Sequence, residues 1–227
     1  MLRLRPLSAA FAQHDDMKHD VESSRPVLTL PLMLILASAS PRRAELLRNA
    51  GIEFRVDPAH IVEERGPGEA ALDFARRLAR EKARAVAARH SGNFVLGADT
   101  IVCVDNHVLG KPADAADAFA MLRLLSGRWH EVTTGICLIA PEVSAAGSGS
   151  ADRPEQVAHE TTRVQFSALN DDDIRAYIAS GEPMDKAGAY AIQGMASRWI
   201  TRIEGDYGNV VGLPVALLWK ILRELTQ

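Results

Sequence analysis

Three groups of residues have the types and spacing for chemistry on an anionic substrate. The first is Ser38-Ala-Ser-Pro-Arg-Arg43, in which Ser40 suits a helix N-cap and Pro41 the first helical position. A helix N-terminus carries partial positive charge, so Arg42 and Arg43 in the first turn are unfavourable unless an anion joins them. The Ser38 and Ser40 hydroxyls, free N–H groups and two guanidinium groups at one point would bind phosphate; alternatively, both arginines point into water.

The second group is Asp99 with Thr100, at the centre of the otherwise apolar run Phe94–Val104. A carboxylate there is costly without a cation, a metal or hydrogen-bond donors, so Asp99 either carries a function or caps a bulge or local turn. The third group is the lysines near element ends, Lys82, Lys111 and Lys186, with the acidic pair Glu63-Glu64. Together they suit hydrolysis of a polyphosphate: cations neutralise phosphate oxygens while Asp99, with a divalent metal, orients and deprotonates a water. No GxSxG segment or readable Cys/His set offers a nucleophile instead.

The elements that must position these groups follow from pattern. Leu34–Ala37 predicts a buried strand running into a helix from Pro41 that Gly51 ends, and Glu53–Val56 a short strand. From Ala70 to about Arg89, Leu72, Ala75, Leu78, Ala79, Ala83 and Val86 recur at helical spacing. Lys82 lies four residues from both Leu78 and Val86, so its stem is on the apolar stripe; it either faces a cleft or snorkels to water. Phe94–Val104 predicts a strand, Asp105-Asn106-His107 a hairpin turn, and the return reaches Gly110-Lys111-Pro112, which lacks the glycine and hydroxyl residue of a P-loop.

Downstream, Pro112–Leu125 predicts a helix, and Glu131–Ala140 and Val157–Phe166 a strand pair around a mobile loop over Pro141–Gln156. Asn170 caps a helix whose Asp171, Asp172 and Asp173 read as a solvated start rather than a metal cluster. Asp185–Gly194 is rich in glycine and alanine, as where backbone approaches something closely. Trp199–Ile203 predicts a strand, Gly205–Asn209 a turn, and Pro214–Leu225 a closing helix.

With 227 residues, 47% of them hydrophobic, the chain can bury a sizeable core. The expected organisation is one compact unit over 33–227 behind a disordered leader over 1–32. That leader lacks the apolar centre of a secretory signal and is too acidic for a transit peptide, and Met33 is a candidate translation start. Val27–Ala37 is too short to span a bilayer and contains a proline. A net charge of -3 gives no sign of general nucleic-acid affinity. Cys103 and Cys137 read as reduced core residues of a cytosolic protein, and none of the seven histidines pairs with another at metal-ligand spacing.

Ser38-Ala-Ser-Pro-Arg-Arg43, Gly97-Ala-Asp-Thr100, Gly110-Lys-Pro112, Asp185-Lys-Ala-Gly-Ala-Tyr190 and Ile192-Gln-Gly194 resemble, in order, the signatures of the Maf family of nucleoside triphosphate pyrophosphatases. The resemblance covers nearly everything from Met33 onward. It implies an α/β fold of the inosine triphosphatase type, with a mixed, elongated central sheet, flanking helices and two lobes around a cleft. It also implies a homodimer, a magnesium or manganese cofactor, and cleavage of a nucleoside triphosphate between the α and β phosphates.

Asp99 matches the family's proton acceptor and, with Glu64, is a candidate metal ligand. Ser38, Ser40, Arg43, Lys82, Lys111 and Lys186 would hold phosphate. Arg42, Thr100 and Gln193 fall where substrate branches divide, and this sequence resembles the dTTP and UTP branch. The Gln193 amide can donate and accept, which suits a pyrimidine O4/N3 edge, whereas glutamate, usual in the 7-methyl-GTP branch, would accept protons from a guanine edge. A rival expectation is a nucleotide-binding regulator linked to septum formation, for which phosphate binders would suffice without the acid.

Overall fold

The computed structural model describes residues 33–142 and 153–226. The expected leader over 1–32 lies outside the described residues, as does most of the expected loop over 141–156. The elements run β1 (Leu34–Leu36), α1 (Pro41–Asn49), β2 (Phe54–Val56), α2 (Ala71–Ala87), β3 (Phe94–Val104), β4 (His107–Leu109), α3 (Ala115–Leu125), β5 (Trp129–Ile139), β6 (Glu155–Phe166), α4 (Asp171–Ala179), β7 (Ile200–Glu204), α5 (Tyr207–Val211) and α6 (Val215–Leu225). Three 3-10 turns, Glu182–Asp185, Ala187–Ala189 and Met195–Trp199, join α4 to β7.

The seven strands form one mixed sheet in the order β2-β1-β3-β5-β6-β7, with β4 paired to β3. β1 runs parallel to β2 and to β3, whereas β4 and β5 run antiparallel to β3. β5 follows one edge of β3 from Val95 to Cys103. On the other edge β1 covers only Phe94–Leu96 and β4 only Val102–Val104. Residues 97–101 of β3 therefore face a gap in the sheet, at the carboxyl end of β1. Such gaps beyond strand ends, where strand direction or order changes, are where α/β sheets bind ligands.

Alternation along β1 and β3 divides the core. Leu34, Leu36, Phe94 and Leu96 pack with Leu47 and Leu222 on the face covered by α1 and α6. Ile35 and Val95 pack with Ala79, Ala83 and Val86 of α2 on the other face. The far end of β3 joins a separate cluster with Leu122, Phe166, Ile174 and Tyr177, below α3 and α4. The gap in the sheet opens between these clusters, which accounts for the two lobes.

Helix α2 lies unusually close to the sheet. Its row Ala75, Ala79, Ala83, spaced every four residues, crosses Gly135 and Gly97. A β-carbon on Gly97 would stand 2.1 Å from the Ala79 carbonyl oxygen, and one on Gly135 would stand 2.6 Å from the Ala75 carbonyl oxygen. Only glycine under a row of alanines permits this approach.

The remaining differences from expectation have local causes. α3 starts at Ala115 rather than Pro112, because the Asp114 carboxylate accepts from the Asp117 N–H at 2.8 Å and fixes the N-cap there. β6 starts at Glu155, inside the expected loop, because the register with Ile139 continues to that residue. Gly205–Asn209, expected as a turn, instead leads into α5, capped by Asp206 and ended by Gly212 at φ 133°. At the Asp105-Asn106 turn both residues have positive φ, 48° and 65°, as a tight hairpin requires.

A Gly97→Ala substitution forces α2 off the sheet. We expect it to lower the unfolding free energy by about 1–3 kcal/mol, read by urea unfolding. An unchanged midpoint would show that the helix can shift without cost.

Candidate active site

The gap in the sheet opens into a cleft of about 600 Å³. Asp99 stands in it on the α2 side of β3, only 7% exposed. Because α2 is seated so close, Lys82 reaches the strand: its Nζ donates to Asp99 Oδ1 at 2.6 Å and lies 2.8 Å from Glu63 Oε1. Among the described residues no hydrogen bond is made to Asp99 Oδ2. Burial raises the Asp99 carboxyl above its ordinary value, against the pull of Lys82 and Arg43, which favour the anion.

Thr100, one residue on, faces the opposite side of the sheet and takes part in a buried network. The Arg43 guanidinium donates through Nε to the Gly212 carbonyl at 2.8 Å, through one terminal nitrogen to Ser38 Oγ at 2.9 Å, and through the other to Thr100 Oγ1 at 3.0 Å. Thr134 Oγ1 donates to the Asn209 carbonyl at 2.9 Å, so the Thr100 hydroxyl supplies the proton of the 2.9 Å Thr100–Thr134 bond. Asn209 is itself fully buried, accepting from the Thr134 N–H and donating to Val132 O and Thr162 Oγ1. Burial draws the Arg43 guanidinium below its ordinary value, with Asp99 opposing.

Arg43 thus points neither into water nor wholly at the cleft. Three of its five N–H donors tie α1, β3 and the end of α5 together, and two remain. Ser40 caps α1, its Oγ 3.5 Å from the Arg43 N–H, and its own N–H donates to Ser38 Oγ at 3.2 Å. Arg42 lies in the cleft, 3.5 Å from Asp185, which also pairs with Lys186.

The cleft brings together Ser38, Ser40, Arg42, Arg43, Lys82 and Asp99. Thr100, Lys111, Lys186 and Gln193 line it as well. Glu64 does not: it is exposed, and only its main-chain carbonyl is engaged, by Arg77 at 2.8 Å. The acid at the cleft is its neighbour Glu63, a choice no periodicity could make in a segment without helix or strand. Sequence reasoning also missed Thr134, Asn209 and Gly212, which act from elements distant in the chain; the Asp206 cap was the available signal for α5. Among the described residues, no group of three or more His, Cys, Asp or Glu could hold a metal ion.

The profile of the Maf-like protein family matches residues 33–225. The chain belongs to the Maf family. A relative from Koribacter versatilis, named dTTP/UTP pyrophosphatase, is 58% identical over 194 residues, covering 86% of this chain and 95% of its own. Relatives of the same name from Geobacter sp. (strain M21) and Aquifex aeolicus are 52% identical over 190 residues and 44% over 194. They cover 84% and 86% of this Maf chain, and 94% and 96% of their own lengths.

One further lining residue is Tyr190, whose hydroxyl meets His130 Nε2 at 2.8 Å in an edge-on cluster with Phe166. Burial alone lowers His130 to about 4 from an ordinary value of 6.5. The unfolded chain therefore binds a proton between these values that the folded chain refuses, and stability falls as pH drops through that window. The loss reaches on the order of 3 kcal/mol at the acid end. Urea unfolding of wild type and His130→Phe between pH 7 and pH 4 should show the variant losing less stability on acidification; parallel curves would contradict a neutral buried His130.

Proposed function

We propose that residues 33–227 form one catalytic unit that hydrolyses dTTP and UTP between the α and β phosphates, giving the nucleoside monophosphate and pyrophosphate. The observation that carries this reading is Asp99, a buried carboxylate in the gap of β3 with cations from α1 and α2 beside it. The names of the relatives supply the substrates. A binding-only regulator of septum formation would use the same cations but gains nothing from an acid that is costly to bury. The same reaction on 7-methyl-GTP ranks below, because Gln193 stands where that branch usually has glutamate.

In this mechanism the triphosphate enters between Ser38–Arg43 and the lysines. The Arg42 N–H at the start of α1, with the Arg42 side chain and the two unengaged donors of Arg43, receives phosphate oxygens. Lys111 and Lys186 reach them from the opposite wall. Lys82 turns from Asp99 Oδ1 toward the incoming phosphate, leaving the carboxylate free to accept a proton. Water attacks phosphorus, its proton passes to Asp99, the bridging bond between the α and β phosphates breaks, and pyrophosphate departs. Thr100 acts by holding Arg43 rather than by donating to the substrate, because its proton is committed to Thr134. At the far end Gln193 meets the O4/N3 edge of the pyrimidine.

A divalent cation such as magnesium or manganese fits this donor set in one form. Asp99 and Glu63 would hold it as hard oxygen ligands, too few for an all-protein cage. Such an ion would supply Lewis-acid neutralisation of phosphate charge. The same reading places the protein in the cytoplasm and, from the family resemblance, as a homodimer; no helix among the described residues is long and apolar enough to cross a membrane.

Pyrophosphate release from dTTP, UTP, CTP, GTP and 7-methyl-GTP, with the nucleotide product identified, tests the reading. We expect dTTP and UTP to be turned over fastest, to monophosphates. In Asp99→Asn, turnover should fall at least about 100-fold with the fold intact by circular dichroism. Wild-type rates in that variant would remove Asp99 from the chemistry, and nucleotide binding without turnover in the wild type would favour the regulator.

A further inference from the structure

The turn that carries Gln193 is gripped on both sides by two residues outside the cleft lining. Tyr177 of α4 is fully buried, and its hydroxyl donates to Glu182 Oε1 at 2.8 Å. The same hydroxyl accepts the Ala191 N–H at 3.2 Å, two residues before Gln193. The Glu182 carboxylate accepts the Met195 N–H, two residues after Gln193, at 3.1 Å and 3.2 Å from its two oxygens. Between these anchors the turn closes on itself through Gly194 N–H to Ala191 O at 3.1 Å.

Gly194 is required by this arrangement. A β-carbon there would lie 2.0 Å from Glu182 Oε1 and 2.4 Å from its carboxyl carbon. The carboxylate occupies the space a side chain would need, so the turn can sit against Glu182 only as glycine. The Tyr177 ring is fixed in turn by edge-on contact with Trp199, at 5.3 Å between centroids. Hydrogen bonds to an ionised acceptor are roughly twice as strong as neutral ones, so this brace is stiff.

We propose that Tyr177 and Glu182 are positioning residues that hold the Gln193 turn and thereby set the discrimination between pyrimidine bases. This rests on the reading that Gln193 meets the base. Uracil and thymine present an acceptor at O4 and a donor at N3, whereas cytosine presents the opposite polarity. A glutamine amide can meet either edge by turning over, so selection depends on a fixed approach. Slack in the turn removes the selection, while the bond from Lys186 Nζ to the Glu182 main-chain carbonyl at 3.3 Å needs neither the Tyr177 hydroxyl nor the Glu182 carboxylate.

The test is kcat and KM for UTP and CTP in wild type, Tyr177→Phe, Glu182→Ala, Gln193→Ala and the double variant Tyr177→Phe/Gln193→Ala. Tyr177→Phe should lower the UTP:CTP ratio of kcat/KM by about 10-fold, mostly through KM for UTP, since the charge-assisted bond to Glu182 and the bond from the Ala191 N–H are both lost. Glu182→Ala should give the same shift without altering the buried ring, so a folding defect in one variant leaves the other to report. The double variant should discriminate no worse than Gln193→Ala alone, because the brace acts only through that side chain. If Gln193→Ala loses the ratio while Tyr177→Phe and Glu182→Ala keep it, or if the double variant's losses multiply, the brace is overturned. If Gln193→Ala keeps the wild-type ratio, the base-reading role of Gln193 fails first and the inference with it.

Discussion

The contact on which the rest depends is the seating of α2 on the sheet. Gly135 and Gly97 let the Ala75, Ala79, Ala83 row lie against β5 and β3, closer than any side chain between them would allow. That distance decides whether Lys82 reaches Asp99. A lysine on a helix at ordinary separation from the sheet would leave a buried carboxylate without its hydrogen-bonded cation, which is costly. Here the 2.6 Å contact offsets that cost and holds the acid in a gap where β3 lacks a neighbour on one edge.

Consecutive residues of one strand then take different parts. Asp99 faces α2 and the acid–lysine pair, while Thr100 faces the Arg43 network on the other side. The network has a fixed proton order, from Arg43 to Thr100 to Thr134 to the Asn209 carbonyl, so each hydroxyl in it both accepts and donates. Removing one member would strand the others, since a buried polar group without a partner is more costly than a network never made. Arg43 belongs to the frame of the cleft as much as to its surface, and Arg42, its neighbour in the same turn, is the freer of the two cations.

Much of this was legible in the sequence because the causes were local. Ser40 and Pro41 mark the start of α1, the apolar run Phe94–Val104 gives β3 its full length, and Asp99 stands out by being costly to bury there. Order along the chain could not supply what depends on distant packing. Glu63 and Glu64 are equivalent until the loop is placed against Lys82. α5 is five residues long and is held by Asn209 bonds to β5 and β6 rather than by its own propensity. Pro112 looked like a first helical residue, yet the cap belongs to Asp114. The role of Thr100 depended on Thr134 and Asn209, 34 and 109 residues away in the chain.

The most informative single measurement is a crystal structure with α,β-imido-dUTP and magnesium, whose bridging nitrogen prevents cleavage. The triphosphate should lie in the gap of β3 against the start of α1, with Lys82 on a phosphate oxygen, Asp99 facing the α phosphorus and uracil at Gln193. A nucleotide bound elsewhere, or phosphates in the gap with Lys82 still held by Asp99, would contradict the assignment of that carboxylate as the base.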